Sequence, residues 1–187
     1  MGESLMHLSK AALNDLAEVF ARMPDTAADA LIDALVKSRR IVVFGCGREG
    51  LQMRGFAMRL FHLGRSVAVW GDMTAPAVET GDLLFVSAGP GYLATADALI
   101  GKAREAGART ALITAQPQGA LASQVDVVVV LPAQTMSDDL GAKRSTLPMG
   151  SAFEAAQMLF FECVILKLRP FLGETAETMR ARHTNLE

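Results

Sequence analysis

Aromatic residues are scarce in this chain: one Trp, one Tyr and nine Phe, or 6% of 187 residues. That is too few for a platform on which single-stranded nucleic acid could stack. An excess of either charge is also missing. With 18 basic and 20 acidic residues the formal net charge is −2, which gives no electrostatic reason to bind DNA, RNA or an anionic membrane. There are two cysteines, Cys46 and Cys163, far apart and outside any CxxC or Cys/His cluster. They are expected to be buried thiols in a reducing cytoplasm. The three histidines are scattered with no cysteine beside them, so no metal constellation is expected.

Long hydrophobic runs are absent as well. The most apolar stretch, Phe153 to Leu168, is broken by Glu154, Glu162 and Lys167, whereas a membrane span needs about 20 mostly apolar residues. Met1 to Lys10 has no apolar core and no small-residue cleavage site, so no signal peptide and a cytoplasmic location are expected. What the chain does have is 51% hydrophobic and 20% charged residues. That composition excludes disorder as the main state, and the length suits a single domain.

Hydrophobic periodicity switches regularly along the chain. Leu5 to Arg22 predicts an amphipathic helix, with Leu5, Leu8, Ala12, Leu16, Val19 and Phe20 on one stripe. Asp25 to Ser38 predicts a second helix with Leu31, Ile32 and Leu35 inward. Ile41 to Phe44, wholly apolar, suits a strand buried on both faces. A helix over Leu51–Leu63 with Gly64 after it, strands at Ser66–Trp70 and Leu83–Ser87, and a helix over Leu93–Ala106 follow. Strands at Arg109–Thr114 and Val125–Leu131 flank a short helical turn.

Strand–helix alternation with short connections implies an α/β fold: a five-stranded parallel sheet between two helical layers, doubly wound and flavodoxin-like. The chain divides into N-terminal helices (1–38), the α/β core (39–131), a long polar loop (132–148) and C-terminal helices (149–187) of one domain. A loop of that length is usually functional or mobile. The helix from Pro148 to Arg169 is apolar almost all round and must be covered on most sides. A partner subunit is the expected cover; the alternative is cover by the two N-terminal helices.

Ligands of open parallel sheets bind at the strand C-terminal ends. Three segments fall there. Gly45-Cys46-Gly47-Arg48-Glu49-Gly50 opens a helix, and its glycines let backbone N–H groups approach an anion. It matches GxGxxG, and Asp72 follows the second strand, so a dinucleotide, another small ligand and a tight structural turn all stand as readings. Glu49 would repel a pyrophosphate. Ser87-Ala88-Gly89-Pro90-Gly91-Tyr92 is either a ligand loop or a bare connection. Pro148 to Glu154 places Glu154 in the first turns of the apolar helix, with Met158 and Phe161 on its face. Apolar surroundings would raise its pKa and suit an acid or base, while the helix N-terminus pulls the other way. The alternative is a glutamate that only complements the helix dipole. His7 and His62 read as ordinary helix residues, and His183 alone as a solvated tail residue.

Four stretches carry a resemblance: Val43 to Arg48, Phe56 to Gly64, Leu147 to Glu154, and Met179 to Glu187, which ends in Arg-His-x-Asn-Leu-Glu. Over essentially its whole length the chain resembles the sugar isomerase (SIS) domain family, and within it most the 6-phospho-3-hexuloisomerases. The resemblance implies a cofactor-independent carbonyl shift along a phosphosugar through an enediol, usually in a tetramer. By motif position it implies Glu154 as the proton-moving base. It implies that His183 reaches a neighbouring subunit's site and assists ring opening or oxygen protonation. It also implies substrate contacts from Gly47, Arg48, Glu49, Ser87, Gly89, Gly91, Tyr92 and Thr95, and it removes the dinucleotide reading.

Two departures stand out. Glu49 replaces the serine of the family's Gly-x-Gly-Arg-Ser-Gly. Ser87 to Thr95 differs from Ser-Gly-Ser-Gly-Glu-Thr, whose hydroxyls hold the phosphate in the family, and Pro90, which has neither hydroxyl nor N–H, falls at a donor position. Losing two or three donors at about 1.5–3 kcal/mol each would weaken phosphate binding by orders of magnitude. Arg48, Ser87, Thr95, Lys143 and Arg144 remain as possible compensation. The expectation is a sugar isomerase with an altered phosphate cup, acting as a tetramer or dimer. A non-catalytic sugar-sensing SIS module is the alternative; no DNA-binding segment is expected ahead of the domain, which weighs against a transcription regulator, and a subunit supporting another enzyme is a minor third reading.

Overall fold

The computed structural model describes residues 2–140 and 145–186. Helix α1 spans Leu5–Ala21, started by Ser4, whose hydroxyl accepts from the His7 N–H at 3.2 Å. Helix α2 spans Asp29–Lys37. The core then runs β1 (Ile41–Gly45), α3 (Gly47–His62), β2 (Val67–Val69), β3 (Leu83–Ser87), α4 (Ala94–Glu105), β4 (Arg109–Thr114) and β5 (Val127–Val130). A single 3-10 turn, Ala122–Gln124, precedes β5. Helix α5 (Ser151–Phe171) and the short α6 (Ala176–Ala181) close the chain.

All five strands are parallel, in the order β2-β1-β3-β4-β5. The chain leaves β1 toward one edge and then returns to its other side for β3. The switch point between β1 and β3 is where an open α/β sheet forms its ligand crevice. The register pairs Gly45 with Ser87 at the C-terminal end of these strands. Two loops separated by some 40 residues of sequence therefore start side by side.

Alternate residues of β1, β3 and β4 enter two separate cores. Ile41, Val43, Phe85, Ala111 and Ile113 pack under α1, α2, α3 and α5. Val42, Phe44, Leu84, Val86 and Leu112 pack under α4 and Leu121. Helices α3 and α5 lie together and are bridged by Arg59, which donates to both oxygens of Glu162 at 2.9 and 3.1 Å.

The structure corrects several expectations. Leu5 and Leu8 are exposed, so the buried stripe of α1 begins further along, at Leu16, Val19 and Phe20. Residues 25–28 are turn, and α2 starts only at Asp29. Both cysteines are exposed. Cys46 stands at the N-cap of α3 and Cys163 on the outer face of α5, positions that thiol hydrophobicity does not decide. Met158 does not share a buried face with Phe161: it is 53% exposed while Phe161 is 3% exposed. Within one chain α5 is covered along one stripe only. Its outward Met158, Leu159, Leu166 and Phe171 are exposed, beside Leu51, Met58 and Phe61 of α3.

Candidate active site

Cys46, Gly47, Arg48, Glu49, Pro90, Thr135, Met136, Met149, Gly150, Phe153 and Glu154 line a cleft of about 440 Å³ at the C-terminal end of the sheet. Its walls are the first turns of α3 and α5 and the loop after β3. Met149 and Gly150 both have positive φ, 54° and 79°. For Met149 this is a strained conformation. It delivers the chain into α5 at the cleft and aims the Met149 carbonyl at Arg48.

Arg48 ties the two helix starts together. Its Nη1 donates to Ser151 Oγ at 2.7 Å, and its Nη2 donates to the Met149 carbonyl at 2.6 Å. The same Nη2 lies 3.0 Å from Glu154 Oε2. The Glu154 side chain is only 16% exposed. Burial raises its pKa above the ordinary carboxylate value, Arg48 pulls it down, and the charge of Glu49 pushes it up again. A carboxylate so placed is a stronger base than one in water.

Glu49 turns inward, toward the loop after β3. Its Oε2 accepts two hydrogen bonds, from Ser87 Oγ at 2.6 Å and from the Gly89 backbone N–H at 2.9 Å. Beneath, Ser87 is fully buried and its Oγ accepts from Gln157 Nε2 at 2.9 Å. Gln157, on α5 one turn beyond Glu154, is itself fully buried, and its Oε1 has no protein partner among the described residues. The approach of Gly89 requires glycine, because a Cβ there would lie 2.8 Å from Glu49 Oε1 and 3.0 Å from the Phe153 ring. Burial raises the pKa of Glu49, opposed by the bonds from Ser87 and Gly89.

The structure thus gathers Gly47, Arg48, Glu49 and Glu154 at the cleft, with Ser87 and Gly89 directly behind Glu49. Gly91, Tyr92 and Thr95 lie outside its lining, Gly91 buried and Tyr92 and Thr95 exposed. Lys143 and Arg144 lie outside the described residues. Sequence reasoning did not name Cys46, Pro90, Thr135, Met136, Met149, Gly150, Phe153 or Gln157 as site residues. Phe153 and Gln157 read as ordinary positions of an apolar helix; only the adjacent Met-Gly before it hints at a special turn. Asp72, the candidate ribose acid, forms an ion pair with Arg54 at 3.3 Å. Among the described residues no three His, Cys, Asp or Glu side chains converge to hold a metal ion.

His183 lies elsewhere in its own chain. Its ring stacks on that of His62, with centroids 5.2 Å apart and planes at 28°. His62 ends α3, and the 16 residues of that helix separate it from the cleft by about 24 Å at about 1.5 Å per residue. Arg182 fastens the segment, donating to the His62 carbonyl at 2.9 Å and to Glu174 at 2.6 Å. The His183 ring itself is exposed.

Comparison with known proteins agrees with this architecture. A 3-hexulose-6-phosphate isomerase of Bacillus subtilis is 34% identical over 94% of this chain and 95% of its own length. One from Mycobacterium gastri is 35% identical over all of this chain and 94% of its own length. A solved Methanococcus jannaschii protein, from whose crystal structure a 3-hexulose-6-phosphate isomerase function was inferred, superposes with a TM-score of 0.81 at 27% identity, covering 96% of this chain and 98% of the other. The SIS domain family model matches residues 34–159, from the end of α2 into α5. Family model, sequence identity and superposition agree: the chain belongs to the SIS domain family.

Proposed function

We propose that the protein is a cofactor-independent sugar isomerase that moves a carbonyl group along a ketose through an enediol, as the named relatives do for 3-hexulose 6-phosphate. The observation that carries this is the half-buried Glu154 at the cleft, held against Arg48 at 3.0 Å. Glu154 removes the proton from the hydroxyl-bearing carbon beside the carbonyl and delivers it to the former carbonyl carbon, while the hydroxyl proton passes in the same direction, from the oxygen of the first carbon to the former carbonyl oxygen. Arg48, close to the base, stabilises the enediolate oxygen as charge develops there.

His183 acts in the cleft of a neighbouring subunit, since its own lies about one α3 length away. The exposed apolar faces of α3 and α5 supply the interface, and the assembly is a tetramer or a dimer. The chain works as one domain in the cytoplasm; no described helix is long and apolar enough to cross a membrane.

The test is Glu154→Gln, which keeps shape and removes the base. Proton–deuterium exchange at the substrate carbon, followed by proton NMR in heavy water, should vanish while the thermal unfolding curve is retained. Full exchange in that variant would remove Glu154 from the mechanism. A wild-type chain that binds sugars without exchange would leave the sensor reading in its place.

A further inference from the structure

Two hydrogen-bond donors, one at the C-terminal end of β3 and one in the β3–α4 loop, converge on one point, and that point is already occupied by an anion of the protein itself. Ser87 Oγ and the Gly89 N–H both donate to Glu49 Oε2, at 2.6 and 2.9 Å. The pair is built, not incidental. Ser87 is fully buried and receives a hydrogen bond from Gln157, which leaves its own proton to point at Glu49. Gly89 lacks the Cβ that would strike both the carboxylate and Phe153. A backbone amide and an oriented hydroxyl of this kind are an anion cradle.

We infer that the Glu49 carboxylate substitutes internally for a substrate anion, so that the sugar this cleft takes carries an uncharged hydroxyl, not a phosphate, at the end over the β3–α4 loop. The inference rests on the isomerase reading for the identity of the ligand as a sugar.

The remaining groups agree. Pro90, next in the loop, has no N–H to offer. Arg48 is engaged with Ser151, Met149 and Glu154. The charged side chains lining the cleft are Arg48, Glu49 and Glu154, one positive against two negative, among the described residues. A phosphate dianion entering there would face two carboxylates. A sugar hydroxyl would instead donate to Glu49, since a carboxylate accepts at several lone-pair sites and two donors do not exhaust it.

The experiment has two arms on the full chain. In the first, inorganic phosphate is titrated against the wild type, Glu49→Gln and Glu49→Ala, and binding is followed by phosphorus NMR line width. Glu49→Gln keeps an oxygen in the cradle; Glu49→Ala empties it. Neither the wild type nor Glu49→Gln should bind saturably, and Glu49→Ala should bind at least about tenfold more tightly than either. Saturable wild-type binding that Ser87→Ala removes overturns the inference, whether or not the Glu49 variants fold.

In the second arm, proton–deuterium exchange is measured on a ketose with and without a terminal phosphate. The free sugar should have a kcat/KM at least about tenfold higher in the wild type. Preference for the phosphorylated sugar overturns the inference. No exchange with either sugar overturns the isomerase reading, and the phosphate titration then still decides the role of Glu49.

Discussion

Arg48 Nη2 sits 3.0 Å from Glu154 Oε2, so the one guanidinium lining the cleft among the described residues is committed to the carboxylate proposed as the base. Removing it should change the base itself. Burial already raises the Glu154 pKa and Arg48 opposes that rise. In Arg48→Met the pKa should climb further, and the acid limb of kcat/KM should move to higher pH. Loss of enediolate stabilisation should lower kcat by about tenfold or more. A pH–rate profile of the variant beside the wild type checks both.

The wild-type profile has its own sign. As the proposed base Glu154 must be ionised to accept a proton, and its pKa is raised above the ordinary 4.5. Activity should therefore fall as pH drops through a value above 4.5. Because Glu49 contributes to the upward shift, Glu49→Gln should move that limb to lower pH. Stability follows the same protons. Glu49 and Glu154 both bind protons more readily folded than unfolded, so each contribution is largest below the unfolded pKa and declines as pH rises through the folded one. Urea midpoints of wild type and Glu49→Gln across that window measure it.

Gly89→Ala tests the cradle by packing. Its Cβ would lie 2.8 Å from Glu49 Oε1 and 3.0 Å from Phe153. Overpacking of this kind costs about 1–3 kcal/mol. Urea denaturation should show that loss, and the displaced carboxylate should open the cradle to inorganic phosphate.

A buried carboxylate at the other end of the sheet answers in the opposite direction. The Asp82 side chain is wholly buried; it accepts from Arg39 Nε at 3.1 Å and from the Glu79 N–H at 3.1 Å. Burial alone would raise its pKa, but these bonds and the charges of Arg39 and Arg40 together hold it below the ordinary value. A lowered folded pKa gives stability that is present above the unfolded pKa and lost as pH falls through the folded one. Asp82→Ala should cost about 1–3 kcal/mol at neutral pH, since a backbone donor is left unpaired. The deficit should shrink in acid, as read from denaturation midpoints.

Shared sites predict complementation. If each site takes Glu154 from one chain and His183 from another, Glu154→Gln and His183→Ala are each inactive alone. Random mixing of the two in paired subunits should restore about a quarter of wild-type activity, because half the pairs are hybrid and each hybrid has one intact site. Mixtures as inactive as the parents would place His183 outside the neighbour's chemistry.

Local signals were enough for the element order. Ile41 to Phe44, Arg109 to Thr114 and the glycines Gly64 and Gly107 mark strands and helix ends within a few residues, because apolar period and left-handed glycine are properties of short segments. The motif turn at Gly45 to Gly50, and Glu154 at the start of the apolar helix, were legible for the same reason. Glu49 stood out in the sequence as a charge at the mouth, but not as the occupant of a cradle. That contact spans 38 residues and exists only because the register sets Gly45 beside Ser87. Likewise Gln157 looked like one more helix residue until the fold set it under Ser87. The exposure of Cys46, Cys163, Leu5 and Met158 depended on which faces α1, α3 and α5 turn to one another, and α5, apolar almost all round, carries little sequence signal that selects its inner stripe. Periodicity determines what a segment becomes; packing in three dimensions decides which distant side chains meet, as Glu49 meets Ser87 and Gly89.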